Sequence, residues 1–150
     1  VYAHPEYIDT LATSTPIADH VAVDLELRGC PSDRRHLIGA LAALLNRHVP
    51  RLPATSVCTE GKERGPSCVM VAHRTPCVGP ITQAGCGALC PSFHRGCYGC
   101  FGPMESPNVA SLRKQLRHLG LDDHAVDGLL HTFNVEAFTR VDLTRTGAAP

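Results

Sequence analysis

The chain has no tryptophan, only two methionines, and few aromatic residues of any kind, 5% of its 150 residues. Large ring side chains supply much of the burial in an ordinary core, so their scarcity predicts that something besides an apolar interior helps to hold this fold. Net charge is lacking as well, because 14 Lys and Arg balance 14 Asp and Glu. A neutral balance argues against steering toward nucleic acid or an anionic membrane surface and points to protein partners. No apolar run approaches the roughly 18 residues of a membrane span, and no basic-then-apolar leader opens the chain, which makes a cytoplasmic protein the expectation. The first residue is Val1 rather than Met, and the opening VYAHPEYIDT reads like the inside of a domain. Residues 1–29 are therefore expected to be a remnant of a truncated or processed unit.

What the chain does have is cysteine. Cys30 stands alone, whereas Cys58, Cys68, Cys77, Cys86, Cys90, Cys97 and Cys100 crowd into one segment. Disulfide frameworks belong to exported chains, and no export signal is seen, so the crowding points to metal.

Residues 21–27, VAVDLEL, set Val21, Val23, Leu25 and Leu27 against Ala22, Asp24 and Glu26, the period of a half-buried strand. Gly29-Cys30-Pro31 follows, and then Ser32 or Asp33 can cap a helix carrying Leu37, Ile38, Leu41, Leu44 and Leu45 until Pro50 stops it. A strand-turn-helix unit of this kind places Cys30 beyond a strand's carboxyl end and beside a helix N-terminus, where open α/β sheets bind ligands. Residues 51–106 show no sustained period, are dense in Gly, Pro and Cys, and hold only scattered apolar residues such as Val57, Val69, Met70, Val71, Ile81, Leu89, Phe93 and Phe101. Burial of so few side chains cannot offset the ordering of that much backbone, so metal is expected to organise the segment. Beyond it, Asn108 can cap a helix with Val109, Leu112, Leu116 and Leu119, stopped by Gly120. Asp122 or Asp123 can cap another with Val126, Leu129, Leu130 and Phe133, and the ending TRTGAAP reads as frayed.

The cysteine array has two halves with like endings, Cys77-Val78-Gly79-Pro80 and Cys100-Phe101-Gly102-Pro103. The second half is complete: Cys86, Cys90 followed by Pro91, Cys97 and Cys100, with Gly85 just before them and Gly87, Gly96 and Gly99 among them. Four thiolates on a glycine-rich backbone that can fold tightly and aim amides at sulfur suit an iron–sulfur cubane. Zinc is the competitor, but zinc ribbons carry two short Cys-x2-Cys knuckles separated by a longer loop, and these ligands are strung out instead. The first half offers Cys58, Cys68 and Cys77, with Gly61 where Cys-x2-Cys would need a fourth thiol. Three outcomes are open there: a three-iron form, a fourth ligand from Glu60, Glu63 or His73, or no assembly. Order along the chain does not assign each cysteine to a cluster, because two-cluster ferredoxins exchange ligands between runs.

Over VYAHPEYIDTLATSTPIADHVAVDLELRGCP and PCVGPITQAGCGALCPSFHRGCYGCFGP, and from about residue 1 to 120 overall, the chain resembles the small, delta-type subunit of cytoplasmic NAD(P)-linked nickel-iron hydrogenases, or sulfhydrogenases. That family shares a superfamily with the small cluster-bearing subunit of NADH:ubiquinone oxidoreductase. The resemblance implies an α/β fold: residues 1–50 would be the C-terminal part of a flavodoxin-like domain, 51–106 a ferredoxin-like iron–sulfur segment, and 107–150 C-terminal helices with a frayed tail. It implies 4Fe-4S clusters ligated by Cys30, Cys58, Cys68, Cys77, Cys86, Cys90, Cys97 and Cys100. Cys30 matches the final ligand of a proximal cluster whose other ligands lie in a portion this sequence lacks. Gly61 departs from the family's cysteine, leaving the cluster near it as a 3Fe-4S form or absent. The implied role is electron relay between a nickel-iron large subunit and a flavin-containing, NAD(P)-reactive diaphorase-type partner, with no catalytic residue in this chain. Two alternatives stand beside it: a complex I-like small subunit without hydrogenase activity, and a zinc-stabilised interaction module.

Blander roles are expected for most other polar residues. His20, His36, His48, His118 and His131 read as surface or helix residues, as do His73 and His94 within the array. Glu60, Lys62, Glu63 and Arg64 read as a solvated charged loop. Thr13, Ser14 and Thr15 show no nucleophile-base arrangement.

Overall fold

Asp33 opens the first long helix: its carboxylate accepts the Arg35 N–H at 2.7 Å, and α1 runs Arg34–Leu45. The computed structural model describes residues 3–9, 15–30 and 32–146, with side chains as far as Val141. Pro31, Thr13, Ser14 and the last residues of the expected frayed tail lie outside the described residues.

The predicted strand over residues 21–27 is not formed. A strand requires a neighbour's backbone, and the bridges among the described residues are two isolated antiparallel pairs, Ser56 with Gln83 and Thr82 with Pro103. Val21 and Val23 are exposed, and Leu25 and Leu27 half-buried. The apolar stripe of α1 has the predicted spacing but little cover: Leu37, Ile38, Leu41 and Leu44 are exposed, Leu45 is 85% exposed, and Ala40 is the helix's buried residue.

Residues 51–106 fold around three short helices, α2 (Val57–Arg64), α3 (Val69–Ala72) and α4 (Leu89–Ser92). The charged run Glu60 to Arg64, expected as a loop, is the body of α2, which ends where Gly65 takes φ +82°. Beyond these, α5 spans Val109–His118 and α6 spans Asp123–Leu130, each with the expected cap: Asn108 accepts the Ser111 N–H at 3.0 Å and Asp122 the Ala125 N–H at 2.8 Å. Where fraying was expected, α7 continues over Val135–Thr146.

One core joins the cysteine segment to these last helices. Val57, Val69, Met70, Val78 and Ile81 pack with Val109, Leu112, Leu116, Val126, Leu130 and Phe138, and the thiols of Cys77 and Cys97 belong to the same cluster. The segment thus pools its few apolar side chains with those of α5 to α7, which supply the burial it lacks alone. The scarcity of aromatics is met by aliphatic packing, with Phe101 and Phe138 as the buried rings among the described residues.

Candidate metal centre

The structure sorts the cysteines by cavity. Cys86, Cys90, Cys97 and Cys100 line one space of about 370 Å³, together with Cys30, Ser32 and Arg34 at the start of α1. Cys58, Cys68 and Cys77 line a second of about 220 Å³, together with Gly61, Lys62 and Ser67. Val57 and Pro91 are walls of both, so the two cavities are neighbours. Cys77 lines the same cavity as Cys58 and Cys68, as its place in the first half suggests.

Cys30 does not stand apart as its isolation in sequence predicts. It is exposed and borders the first cavity. Backbone amides reach sulfur nearby. Cys77 Sγ accepts from the N–H of Cys97 at 3.1 Å and of Gly79 at 3.4 Å. The Cys97 to Cys77 bond crosses from the walls of one cavity to those of the other. Amides aimed at sulfur stabilise the thiolate form and tune whatever metal it binds.

In the thiol-only state the same sulfurs are hard to ionise. Burial pushes the Cys97 thiol up to about 12 and the Cys58 thiol up to about 11, the latter with help from neighbouring Cys77 and Cys68 and against the pull of Lys62. Cys77 and Cys100 are raised for the same first reason, burial. Ligation requires thiolates, so loading iron at neutral pH must expel these protons. Apparent iron affinity of the metal-free protein is therefore expected to rise with pH toward the ordinary thiol value of 9.0 and beyond, with proton release seen in weakly buffered indicator solution. Iron uptake independent of pH would contradict the thiolate ligand set.

Residues read as surface charge turn out to anchor the first cavity. Both carboxylate oxygens of Glu60 are engaged, by the N–H of Gly85 at 2.8 Å and of Ala88 at 3.2 Å, and Arg64 donates to the Gly87 carbonyl. Helix α2 thus clamps the turn that carries Cys86. The signal available in sequence was the spacing of Glu60 and Arg64, four apart on one helix face, but it required knowing that Ser56 starts a helix. We expect Glu60→Ala to weaken metal retention in the Cys86 cavity by roughly 10- to 100-fold, as loss of a ligand-orienting partner does elsewhere, while the Cys58 cavity keeps its iron. A competition assay with a graded chelator measures it, and equal loss from both cavities would count against the clamp.

The loop of Cys97 and Cys100 is held from the other side by residues that sequence reasoning missed. Asn134 Nδ2 donates to the Gly99 carbonyl at 3.0 Å, the Phe138 ring lies against Gly99, and Arg28 donates to the Pro103 carbonyl at 2.8 Å. Gly99 has φ +82°, which a side chain would strain. Gly79 sits between the sulfurs of Cys77 and Cys58, where a Cβ would meet them at 3.2 and 3.5 Å.

The expected bystanders fall elsewhere. His73 and His94 pair edge to face at 5.2 Å between ring centroids, and both are exposed. His36 is half-buried and its ring flanks Gly85, while Thr15 Oγ1 bonds His20 at 2.7 Å. Glu63 and His73 are absent from the walls of the Cys58 cavity.

Among the described residues, no three His, Cys, Asp or Glu groups converge as ligands of one metal ion would; the sulfurs ring two cavities. With thiolates as the donor type, amides aimed at sulfur and room for a core of several atoms, the residues present fit an iron–sulfur cluster.

This is a thiol-rich helical protein whose eight cysteines surround two adjoining cavities within one core. No family model matches the chain, but it has relatives among hydrogenase subunits. It is similar to the delta subunit of sulfhydrogenase 2 from Pyrococcus furiosus, 35% identical over 133 residues, which are 89% of this chain and 56% of that protein. It is also similar to the vhu-type G subunit of the F420-non-reducing hydrogenase from Methanocaldococcus jannaschii, 36% identical over 60% of this chain and 37% of the relative. The iron-sulfur G subunit of the F420-non-reducing hydrogenase from Archaeoglobus profundus is 27% identical over 87% of this chain and 49% of its own length. The chain spans about half the length, or less, of these curated relatives.

Proposed function

We propose that this chain is the iron–sulfur, electron-carrying part of a nickel-iron hydrogenase small subunit. The observation that carries the reading is the partition of the cysteines into two neighbouring thiol-lined cavities joined by the Cys97 N–H to Cys77 Sγ bond. The naming of relatives as hydrogenase delta and G subunits, one of them an iron-sulfur subunit, supports it.

Bound iron–sulfur clusters supply one-electron transfer without proton chemistry of their own. The protein's share is to set where the electron rests and how easily it moves. Cys86, Cys90, Cys97 and Cys100 would hold a four-iron core, with Cys30 at the edge of the same cavity. Arg34 and the first turn of α1 add positive potential beside that cavity, where the Asp33 carboxylate is paired with Arg35, and Lys62 does so beside the other, each favouring an anionic core. Burial of Cys77 and Cys97, 4% and 6% exposed, keeps water from the wall between the cavities.

The finer parts of the proposal rest on the resemblance: hydrogen splitting in a separate large subunit, a flavin-containing and NAD(P)-reactive diaphorase-type acceptor, and a flavodoxin-like unit to which residues 1–50 contribute. The uncovered stripe of Leu37, Ile38, Leu41 and Leu44 on α1 suits such a unit, in which a helix packs on a sheet.

The test is anaerobic isolation of the full-length subunit with its partners, followed by iron, sulfide and zinc analysis and electron paramagnetic resonance under hydrogen. Matched iron and sulfide with signals that develop under hydrogen are expected. Signals that develop with NADH but never with hydrogen would favour the complex I-like alternative, and stoichiometric zinc without sulfide would end the iron–sulfur reading.

A further inference from the structure

The Cys58 cavity has a corner with no ligand. Cys58 and Gly61 are three residues apart on α2, hence on one face of the helix, and both border the cavity. Gly61 brings only backbone to that wall.

The neighbours do not fill the place. Both oxygens of Glu60 are occupied by the Gly85 and Ala88 N–H groups, Glu63 lies outside the cavity walls, and His73 packs on His94. The polar side chains that do border the cavity with the thiols are Lys62, an ammonium with no lone pair to give a metal, and Ser67, a neutral hydroxyl that is a weaker ligand than thiolate for these metals.

We propose that this cavity anchors its core through three thiolates alone and that the fourth corner is an exchangeable site for a sulfide-binding divalent cation: ferrous, zinc or cobalt ion. The inference rests on the iron–sulfur reading and adds to it a metal site of different lability from that of the Cys86 cavity. The step is an association. A reduced, formally neutral three-iron core meets a divalent cation, three metal–sulfide bonds form, the cation sheds water, and no electron moves. Cys58, Cys68 and Cys77 keep the rest of the core in place while the corner empties and fills, and the Gly61 wall leaves that corner to outside ligands. In the Cys86 cavity four thiolates tie every corner, so no such exchange occurs there.

The experiment uses the full-length subunit isolated anaerobically with its partners. Oxidation with ferricyanide in the presence of a chelator is expected to produce a three-iron resonance of about one spin per subunit. Dithionite with ferrous ion abolishes it, and zinc in place of ferrous ion is retained in equal amount with an altered spectrum. Gly61→Cys, which supplies a thiolate, is expected to suppress the three-iron signal and to lower zinc uptake at least about tenfold. Gly61→Ala adds bulk without a ligand, its Cβ meeting Ala88 at an ordinary 3.7 Å, and is expected to exchange like the parent.

A parent protein that yields no three-iron signal while the Cys86-site signal is intact overturns this inference alone. So does a Gly61→Ala protein that behaves like Gly61→Cys, since bulk rather than ligation would then be at work. Absence of iron and sulfide altogether overturns the underlying reading instead.

Discussion

Gly96→Ala is expected to abolish folding of the cysteine-rich region. A Cβ at this position would lie 1.9 Å from the Pro76 carbonyl oxygen and 3.1 Å from its carbon, both of them backbone. No flexible side chain can swing aside; relief requires moving the segment that holds Cys77 away from the segment that holds Cys97. Those two thiols belong to the common core and are linked by the Cys97 N–H to Cys77 Sγ bond, so the displacement breaks packing and the wall between the cavities together. The cost is expected to exceed about 4 kcal/mol, the exceptional end of single substitutions, against a typical total stability of about 5–15 kcal/mol. Little soluble, iron-loaded protein should be recovered. Gly128→Ala is the matching control: that glycine lies within α6 with nothing inside 4 Å of the added carbon, and the change should stabilise by about 1 kcal/mol. Chemical denaturation of the two variants beside the parent decides it, and a Gly96→Ala protein of parental stability would show the close approach to be wrong.

Serine in place of single cysteines should remove iron one cavity at a time. Cys90→Ser is expected to strip the Cys86 cavity and Cys68→Ser the Cys58 cavity, each taking roughly half of the iron the two hold. These two positions are the informative ones because Cys90 is half-buried and Cys68 exposed, so a hydroxyl there leaves the core intact. Serine at Cys77 or Cys97 would place a polar group in the core and confuse ligation with stability. Cys30 is an exposed fifth cysteine at the first cavity, and Cys30→Ser is expected to leave the iron of both cavities in place. The readout is iron and sulfide per subunit with paramagnetic resonance to show which signal survives. Loss of both signals from either of these two substitutions would mean that the cavities do not sort the ligands.

Local chemistry made part of this architecture readable in the sequence. The caps at Asp33, Asn108 and Asp122 act within three residues of their helices, so α1, α5 and α6 could be placed from pattern alone. The crowding of cysteines with glycine pointed to a thiolate site for the same reason. What failed was whatever depended on a distant partner. Alternation over residues 21–27 predicts a strand, yet no described neighbour completes it. The spacing of Cys77 allows membership of either set, and only the folding of α2 and α3 places it with Cys58 and Cys68. Gly96 reads as a turn glycine, but its demand is steric and comes from Pro76, twenty positions earlier. Likewise α7 was lost because Phe138 finds its burial against Gly99 and not within its own segment. The three-iron alternative at Gly61 was visible in sequence; what the structure adds is that Glu60, Glu63 and His73 are engaged elsewhere or lie outside the cavity.

The clasp that Asn134 and Phe138 place over the Gly99 turn has a consequence for biosynthesis. A ribosome releases the chain from its N-terminus, so the cysteine loops emerge some 35 positions ahead of the residue that fastens them. At about 5–20 residues per second that interval is on the order of a few seconds. During it the Gly99 turn lacks the Asn134 bond and the Phe138 ring that hold it in the finished fold, so the order of synthesis leaves this cysteine loop to settle before its clasp is made.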